Sequence, residues 1–252
     1  ELSVLSDRDY LRKYFPDEFY SGKDQETLVY ARKQRDNWAV DVLLKAKVNS
    51  FLTQTWQVPE LSAYMIGEPI LNDMFTFFGE SHVGAMKWDP GSLSSQQEAD
   101  GMVLPDSGSW LGRFDTRAEL DMPLHLGPVN VVPYMAGRMT AWTSAPDDGK
   151  TNRLYAQAGV RADMTFWTIY KEAQNRLLDI NGLRHSISPE GAFFIAGDNG
   201  VTPADQYPLT PVETHMTDLA GVTFGVRQLW ETKRGEGDAE RNVKWMRLDV
   251  TA

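Results

Sequence analysis

The sequence predicts an all-β protein, an antiparallel sheet of about ten long strands of the kind that forms a transmembrane β-barrel, after a short N-terminal helical turn. Three observations predict it. Long runs alternate apolar and polar residues with the period of two that strands require. Short and long connections between these runs alternate, and most tryptophans stand near strand ends, as in outer-membrane barrels.

The run from Arg113 to Leu126 shows the alternation most clearly. One face carries apolar and small residues: Phe114, Thr116, Ala118, Leu120, Met122, Leu124 and Leu126. The other face carries mostly charged ones: Arg113, Asp115, Arg117, Glu119, Asp121 and His125. A soluble sheet with its charged face in water has the same pattern. Length favours a membrane, because spanning strands take about 9–11 residues and globular strands about 5–6.

Residues 1–25 form a helical and loop lead-in. Ser6 is a candidate N-cap for a short helix that Pro16 would end. The first hairpin follows, with strands from Thr27 to Arg35 and from Trp38 to Phe51. Asp36 and Asn37 lie between them and form a two-residue turn signal.

The remaining strands are predicted from the same alternation, and their bounds are Thr53–Ile66, Phe75–Trp88, Arg113–Leu126, Val129–Thr143, Asn152–Tyr170, Leu183–Ile195, Leu219–Thr232 and Asn242–Val250. Long polar loops are expected at about 89–109 and 197–216. We interpret residues 1–252 as a single β-barrel region, a fragment of a larger barrel. The aromatic residues expected near strand ends are Trp38, Trp56, Trp88, Trp110, Trp142, Trp167, Tyr170 and Trp230.

Composition excludes several classes of function. A net charge of -10 argues against a nucleic-acid partner, which calls for a basic surface. The absence of cysteine excludes disulfides and thiolate chemistry. The chain begins at Glu1, which predicts a mature chain or a fragment rather than a primary translation product.

The sequence contains no catalytic motif that we recognise and no cofactor or metal fingerprint, so no cofactor and no metal are predicted. Phosphate loops, dinucleotide fingerprints and nucleophile elbows do not occur. The histidines are scattered without zinc spacing: His82, His125, His185 and His215. Asp198-Asn199-Gly200 is interpreted as an ordinary turn, since the later ligands of a calcium loop do not follow it. Carboxylates are numerous, but no pair stands out as a glycosidase pair.

The charged face supplies the candidate ligand-binding residues, which are Arg113, Asp115, Arg117, Glu119, Arg138, Arg161, Asp163 and Arg184. One interpretation is a solvated sheet face with weak cross-strand ion pairs. The other is a hydrated lumen that contacts an anionic, sugar-bearing substrate. A water-filled lumen is compatible with both.

The stretch from Leu177 to Ile195 (LLDINGLRHSISPEGAFFI) resembles the barrel portion of the LptD (organic solvent tolerance protein) family of lipopolysaccharide-assembly outer-membrane proteins. That family has a strand with an Arg-His-x-Ile-x-Pro pattern that ends in aromatic residues. Further similar stretches occur in the same order: Asp7 to Leu11, Gln54 to Tyr64, Leu120 to Val132, Arg161 to Tyr170 and Asp218 to Lys233. Together they cover most of the chain.

The resemblance implies transport of lipopolysaccharide to the outer leaflet of a Gram-negative-type outer membrane, with no bond made or broken. It implies lipopolysaccharide, an outer-membrane lipoprotein plug, periplasmic bridge components and outer-membrane lipid as partners. The family's barrel has many more strands and a periplasmic jellyroll, so this chain resembles a middle portion without the two gate strands. The cysteines of well-studied members are absent.

Two alternatives remain open at this point. One is another outer-membrane barrel, such as a porin-like channel. The other is a soluble β-sandwich that binds carbohydrate, with its charged faces in water.

Overall fold

A computed structural model describes residues 1–22, 24–102, 107–146, 149, 151–202, 205–214, 219–235 and 240–252. Its strands are β1 (Thr27–Arg35), β2 (Trp38–Ala46), β3 (Gln54–Ile70), β4 (Phe75–Asp89), β5 (Leu111–Asp121), β6 (Leu124–Leu126), β7 (Val129–Trp142), β8 (Asn152–Met164), β9 (Phe166–Asn175), β10 (Ile180–Asp198), β11 (Leu219–Arg234) and β12 (Arg241–Thr251). Its helices are short: α1 (Tyr10–Tyr14), α2 (Pro16–Tyr20), α3 (Ser95–Ala99) and α4 (Pro211–Thr214).

All strands belong to one antiparallel sheet, ordered β1-β2-β3-β4-β5-β7-β8-β10-β11-β12. β6 pairs with β7 beyond the end of β5, and β9 pairs with β10 beyond the end of β8. The sheet therefore has ten strand positions, which confirms the all-β prediction and its number of strands. The sheet is not closed, because β1 and β12 do not pair within the described residues.

Two predicted strands were wrong as continuous elements. The run from Arg113 to Leu126 breaks between β5 and β6 at Met122 and Pro123. Met122 donates to the Pro133 carbonyl of β7 at 2.9 Å, but Pro133 has no N–H to donate in return. The run from Asn152 to Tyr170 breaks at Thr165, and it then extends to Asn175. The register places Pro189 of β10 beside this second break. A proline of the neighbouring strand therefore lies opposite or beside each interruption.

The lead-in also differs from its prediction. Helix α1 begins after Asp9, and Ser6 caps nothing, because its hydroxyl bonds the Asp7 carboxylate. The first helix does end before Pro16, as predicted, with Phe15 as its C-cap. Pro16 then begins a second helix, α2, where a first-turn proline loses no hydrogen bond. β2 ends at Ala46 rather than Phe51. Beyond it, the Asn49 amide accepts from the Leu5 N–H and donates to the Ser3 carbonyl.

The alternation of short and long connections is confirmed, and it gives the sheet two different ends. The short-turn end holds the described residues of the connections 36–37, 71–74, 127–128, 176–179 and 235–240. The long-loop end holds the described residues of the connections 47–53, 90–110, 143–151 and 199–218. The expected loops 89–109 and 197–216 contain α3 and α4. Parts of these loops, including His215, lie outside the described residues.

A small apolar core lies at the long-loop end, where Leu209 of the β10–β11 loop packs on Met86, Leu111 and Trp142. Tyr207 and Trp88 border it. No helix in the described ranges is long and apolar enough to cross a membrane.

Candidate functional site

The sheet has two chemically different faces, and the register defines them. The polar face carries Ser62, Glu80, His82, Arg113, Asp115, Arg117, Glu119, Arg138, Thr140, Arg153, Gln157 and Arg161. The apolar face carries Val40, Val42, Leu61, Val83, Phe114, Leu120, Met135, Leu154, Phe193, Ile195, Val222 and Phe224. This is the facing that the alternation predicts.

Burial is inverted relative to a protein folded around an apolar core. Asp115 and Arg113 on the polar face are 0% and 4% exposed, whereas Met135 and Val222 on the apolar face are 61% and 74% exposed. A flat sheet would expose both faces alike. The sheet therefore curls toward its polar face, and the β10–β11 loop closes over part of that face.

The most buried part of the polar face is an ion-pair network at the centre of β5 and β7. Arg138 donates two hydrogen bonds from Nε and Nη2 to Asp115 Oδ1, at 3.0 and 2.6 Å. The Thr140 hydroxyl donates to Asp115 Oδ2 at 2.6 Å. Arg113 donates from Nε to Glu213 Oε1 at 2.7 Å. Each buried carboxylate is thus paired and hydrogen-bonded, as burial of charge requires.

Glu213 belongs to α4, so this network fastens the β10–β11 loop to the sheet. Thr210 holds the Glu213 carboxylate, its N–H donating at 2.9 Å and its hydroxyl at 2.5 Å to Oε2. From β8, Arg153 Nη2 donates to the carbonyl of Val212 at 2.6 Å. Two arginines of the sheet, Arg113 and Arg153, therefore bind one short segment of the loop.

A second network lies nearer the short-turn end. Arg161 donates to Glu119 Oε1 at 2.5 Å and to Asp121 Oδ2 at 3.1 Å, reaching past the intervening strand β7. Arg117 forms a hydrogen-bonded ion pair with Glu119. The Arg161 guanidinium also lies 3.9 Å from the centroid of the Tyr134 ring. These contacts link β5, β7 and β8 on one face.

The structure brings together six of the eight predicted site residues, which are Arg113, Asp115, Arg117, Glu119, Arg138 and Arg161. The other two lie apart: Asp163 accepts from Asn130, and Arg184 lies 3.5 Å from Glu231. Sequence reasoning missed Arg153 as a site residue, although the alternation places it on this face. It also missed Thr210 and Glu213, because a loop carries no periodic signal.

A histidine cluster on β3 and β4 contains the three residue types of a catalytic triad, but not in the arrangement that a triad needs. His82 Nδ1 lies 3.0 Å from the Ser62 hydroxyl and 3.3 Å from Glu60 Oε1. A proton relay needs the serine on one ring nitrogen and the carboxylate on the other. Both groups here share one nitrogen. In the described part of the chain, no group of three or more metal-ligating side chains occurs either.

Aromatic residues border the apolar face at both ends. Trp56 and Trp110 lie with ring centroids 6.1 Å apart at the long-loop end, and Trp38, opposite Met65, marks the short-turn end. The partners of Trp56 and Met65 on β4 are Lys87 and Gly79, eight positions apart, which is about 27 Å of strand or roughly 20 Å along the axis of a tilted barrel. An outer-membrane apolar band is about 25 Å tall. Not every tryptophan fits, since Trp142 lies in the core.

No protein-family model and no curated protein matches this chain.

Proposed function

We propose that this chain forms part of the wall of an outer-membrane β-barrel that moves lipopolysaccharide to the outer leaflet. The observation that carries the proposal is the inverted burial of the sheet, with ion pairs on its enclosed face and apolar side chains on its exposed face. Water makes that arrangement costly, at about 25 cal/mol for each Å² of apolar surface left exposed. A bilayer removes the cost.

The apolar face fits the lipid-facing surface of a barrel in detail. Phe193 and Ile195 of β10 and Val222 and Phe224 of β11 point outward and are 47–74% exposed. A carbohydrate-binding β-sandwich would bury this surface under a second sheet. The described residues form a single sheet, which favours the membrane alternative over the soluble one.

The polar face fits a path for the saccharide part of an amphipathic cargo. Guanidinium and carboxylate groups alternate along it, and such groups bind phosphate and sugar hydroxyls. The stretch from Leu177 to Ile195, together with the further similar stretches that occur in the same order, adds the specific resemblance to lipopolysaccharide-assembly proteins. Transport needs no catalytic residue, so the proposed role is that of a translocon and not of an enzyme.

Leu28 on the edge of β1 pairs with the backbone of Glu1, at 2.9 and 3.0 Å. The rest of that edge and the edge of β12 require partners in a membrane, because unpaired backbone groups are not tolerated in hydrocarbon. We assign these partners to further strands of a larger barrel. An outer-membrane lipoprotein plug and periplasmic bridge components belong to the same proposal.

Photo-crosslinking in the intact parent protein tests the proposal, because neighbouring residues of β8 face opposite ways. A photoreactive amino acid at Tyr155, on the polar face, should give an adduct with lipopolysaccharide in outer-membrane fractions. The same group at Leu154, which is 52% exposed on the apolar face, should react with membrane lipid.

Recovery of the protein in the soluble fraction would overturn the membrane assignment. Outer-membrane recovery with solute conductance and no lipopolysaccharide adduct at Tyr155 would replace the transport assignment with a porin-like channel.

A further inference from the structure

A cavity of about 390 Å³ opens on the polar face beneath the β10–β11 loop. Its walls come from β5, β7, β8, β10, the first residue of β11 and the loop. They consist of Arg117, Arg138, Arg153, Tyr155, Gln157, Phe194, Ala196, Pro211, Val212 and Leu219. This volume lies within the range of about 300–1,000 Å³ that small-molecule sites occupy.

The charge of the cavity wall has one sign. Three guanidinium groups line it, from Arg117, Arg138 and Arg153, and no carboxylate of the described residues does. The carboxylates that pair with Arg138 and Arg117 are those of Asp115 and Glu119, which are not among the lining residues. The cavity therefore presents guanidinium N–H donors to whatever enters it, with the paired carboxylates behind them.

Arg153 differs from the other two arginines. Its residue is 3% exposed, and its Nη2 donates to the carbonyl oxygen of Val212 at 2.6 Å. Within the described ranges it forms no ion pair with a carboxylate at 4.0 Å or less. The carboxylates of Glu213, Asp198 and Asp115 act on Arg153 through space, but none of them pairs with it directly. An anion in the cavity could do so, and a direct partner stabilises a buried guanidinium.

The opposite wall is apolar and rigid. The Phe194 ring lies against Gly221, where an added Cβ would come within 2.9 Å of the ring. Val212 and Leu219 continue this wall. Next to the arginines, the Tyr155 hydroxyl donates to Gln157 Oε1, and Gln157 Nε2 donates to the Tyr134 hydroxyl. An aromatic ring beside amide and hydroxyl groups suits the flat face and the hydroxyls of a pyranose.

We propose that this cavity binds a single sugar unit that carries a phosphate or a carboxylate, with Arg117, Arg138 and Arg153 around the anionic group. The inference rests on the proposed function in taking the polar face as the saccharide path, and it adds a resting point on that path. Phosphorylated sugars and uronic acids share the required chemistry, so binding experiments must separate them.

Calorimetric titration of the intact parent protein in detergent tests the proposal with four probes: glucose 1-phosphate, glucuronate, glucose and inorganic phosphate. We expect one of the two charged sugars to bind at least tenfold more tightly than both glucose and phosphate. The charged sugar that binds identifies the source. Equal binding of inorganic phosphate would overturn the sugar assignment, and absence of binding by all four would overturn the site.

Arg153→Gln should weaken binding of the charged sugar at least tenfold, and Arg117→Gln provides a second variant should the first fail to fold. Arg227→Gln is the matched control, because Arg227 lies on β11 outside the cavity and pairs with Asp249 at 3.0 Å. Equal loss in the control would point to a general charge effect and contradict the site. Sugar binding can be measured without transport. If no charged sugar binds while the lipopolysaccharide crosslink still forms, this inference is overturned and the proposed function is not.

Discussion

The centre and the margin of the sheet use the same ion-pair chemistry in different surroundings. At the centre, the side chains of Arg113 and Glu213 are 3% and 0% exposed. At the margin, Arg227 of β11 and Asp249 of β12 are 47% and 42% exposed, with a bond of similar length. The two pairs have the same kinds of group and differ in what covers them.

The difference shows that burial of the polar face is a property of the assembly and not of the strands. β5 has neighbours on both sides and the β10–β11 loop above it, whereas β12 has a neighbour on one side within the described residues. Charges at the centre are therefore part of the folded core. Charges at the margin interact with water, and they remain available to further strands of a larger barrel.

Removing one buried partner at the centre should give the largest effect. Arg113→Met leaves the Glu213 carboxylate buried without its cation, and breaking a buried pair in this way costs about 3–5 kcal/mol. The unfolding midpoint of the intact parent protein in detergent should fall accordingly. Arg227→Met at the margin should leave the midpoint nearly unchanged. Equal losses from the two variants would contradict the contrast between centre and margin.

The apolar face should not share that contrast. Met135 of β7 and Val222 of β11 are both strongly exposed. The register places Val222 only two residues along β11 from the cross-strand row that contains Met135. If this face contacts lipid throughout, Met135→Arg and Val222→Arg should each destabilise the membrane-inserted protein by about 2–4 kcal/mol and so impair its assembly.

Leu126→Arg supplies the depth control, because Leu126 is 63% exposed beside the short turn at 127–128. Near the interface an arginine costs about 0–1 kcal/mol. Assembly is measured by the heat-dependent shift in electrophoretic mobility. Normal assembly of all three variants would show that water, and not lipid, covers the face.

Periodicity made most of the fold predictable, since a period of two fixes both the strand and its facing. Thr27 to Arg35 matches β1, and the charged run in β5 faces inward as its alternation indicates. The breaks beside Pro133 and Pro189 were missed for the same reason. Each proline lies on a neighbouring strand, which only the register brings beside the break.

The candidate site was predictable only where it lies on strands. Arg113, Asp115 and Arg138 follow from alternation, because their face is set by residue parity. Glu213 does not, since its burial depends on a loop that returns to the sheet 100 residues after Arg113. Loop conformations of this length are set by tertiary contacts, which no local pattern encodes.

Backbone packing offers a smaller test on the neighbouring strands β8 and β10. At Gly159 of β8 an added Cβ would lie 2.5 Å from the Phe193 carbonyl oxygen and 2.8 Å from the Tyr134 ring. Gly159→Ala should therefore destabilise the protein by about 1–3 kcal/mol through overpacking. At Gly191 of β10 the nearest atom would be the Thr223 oxygen at 3.5 Å, so Gly191→Ala should be tolerated. A similar loss of stability at both glycines would contradict the close backbone approach at Gly159.

The smallest expected effect isolates what the loop contributes to the centre. Thr210 holds Glu213 through its hydroxyl, which also accepts from the Val212 N–H at 3.3 Å. Thr210→Val keeps the shape and removes these bonds, at a cost of about 1 kcal/mol. Hydrogen exchange should rise in residues 205–214 and stay unchanged in β12, because the Arg113–Glu213 pair persists. Thr223→Val, on a margin strand, is the control. If Thr210→Val instead raised exchange across β5 and β7, the loop would be a structural part of the central strands and not a cover docked on them.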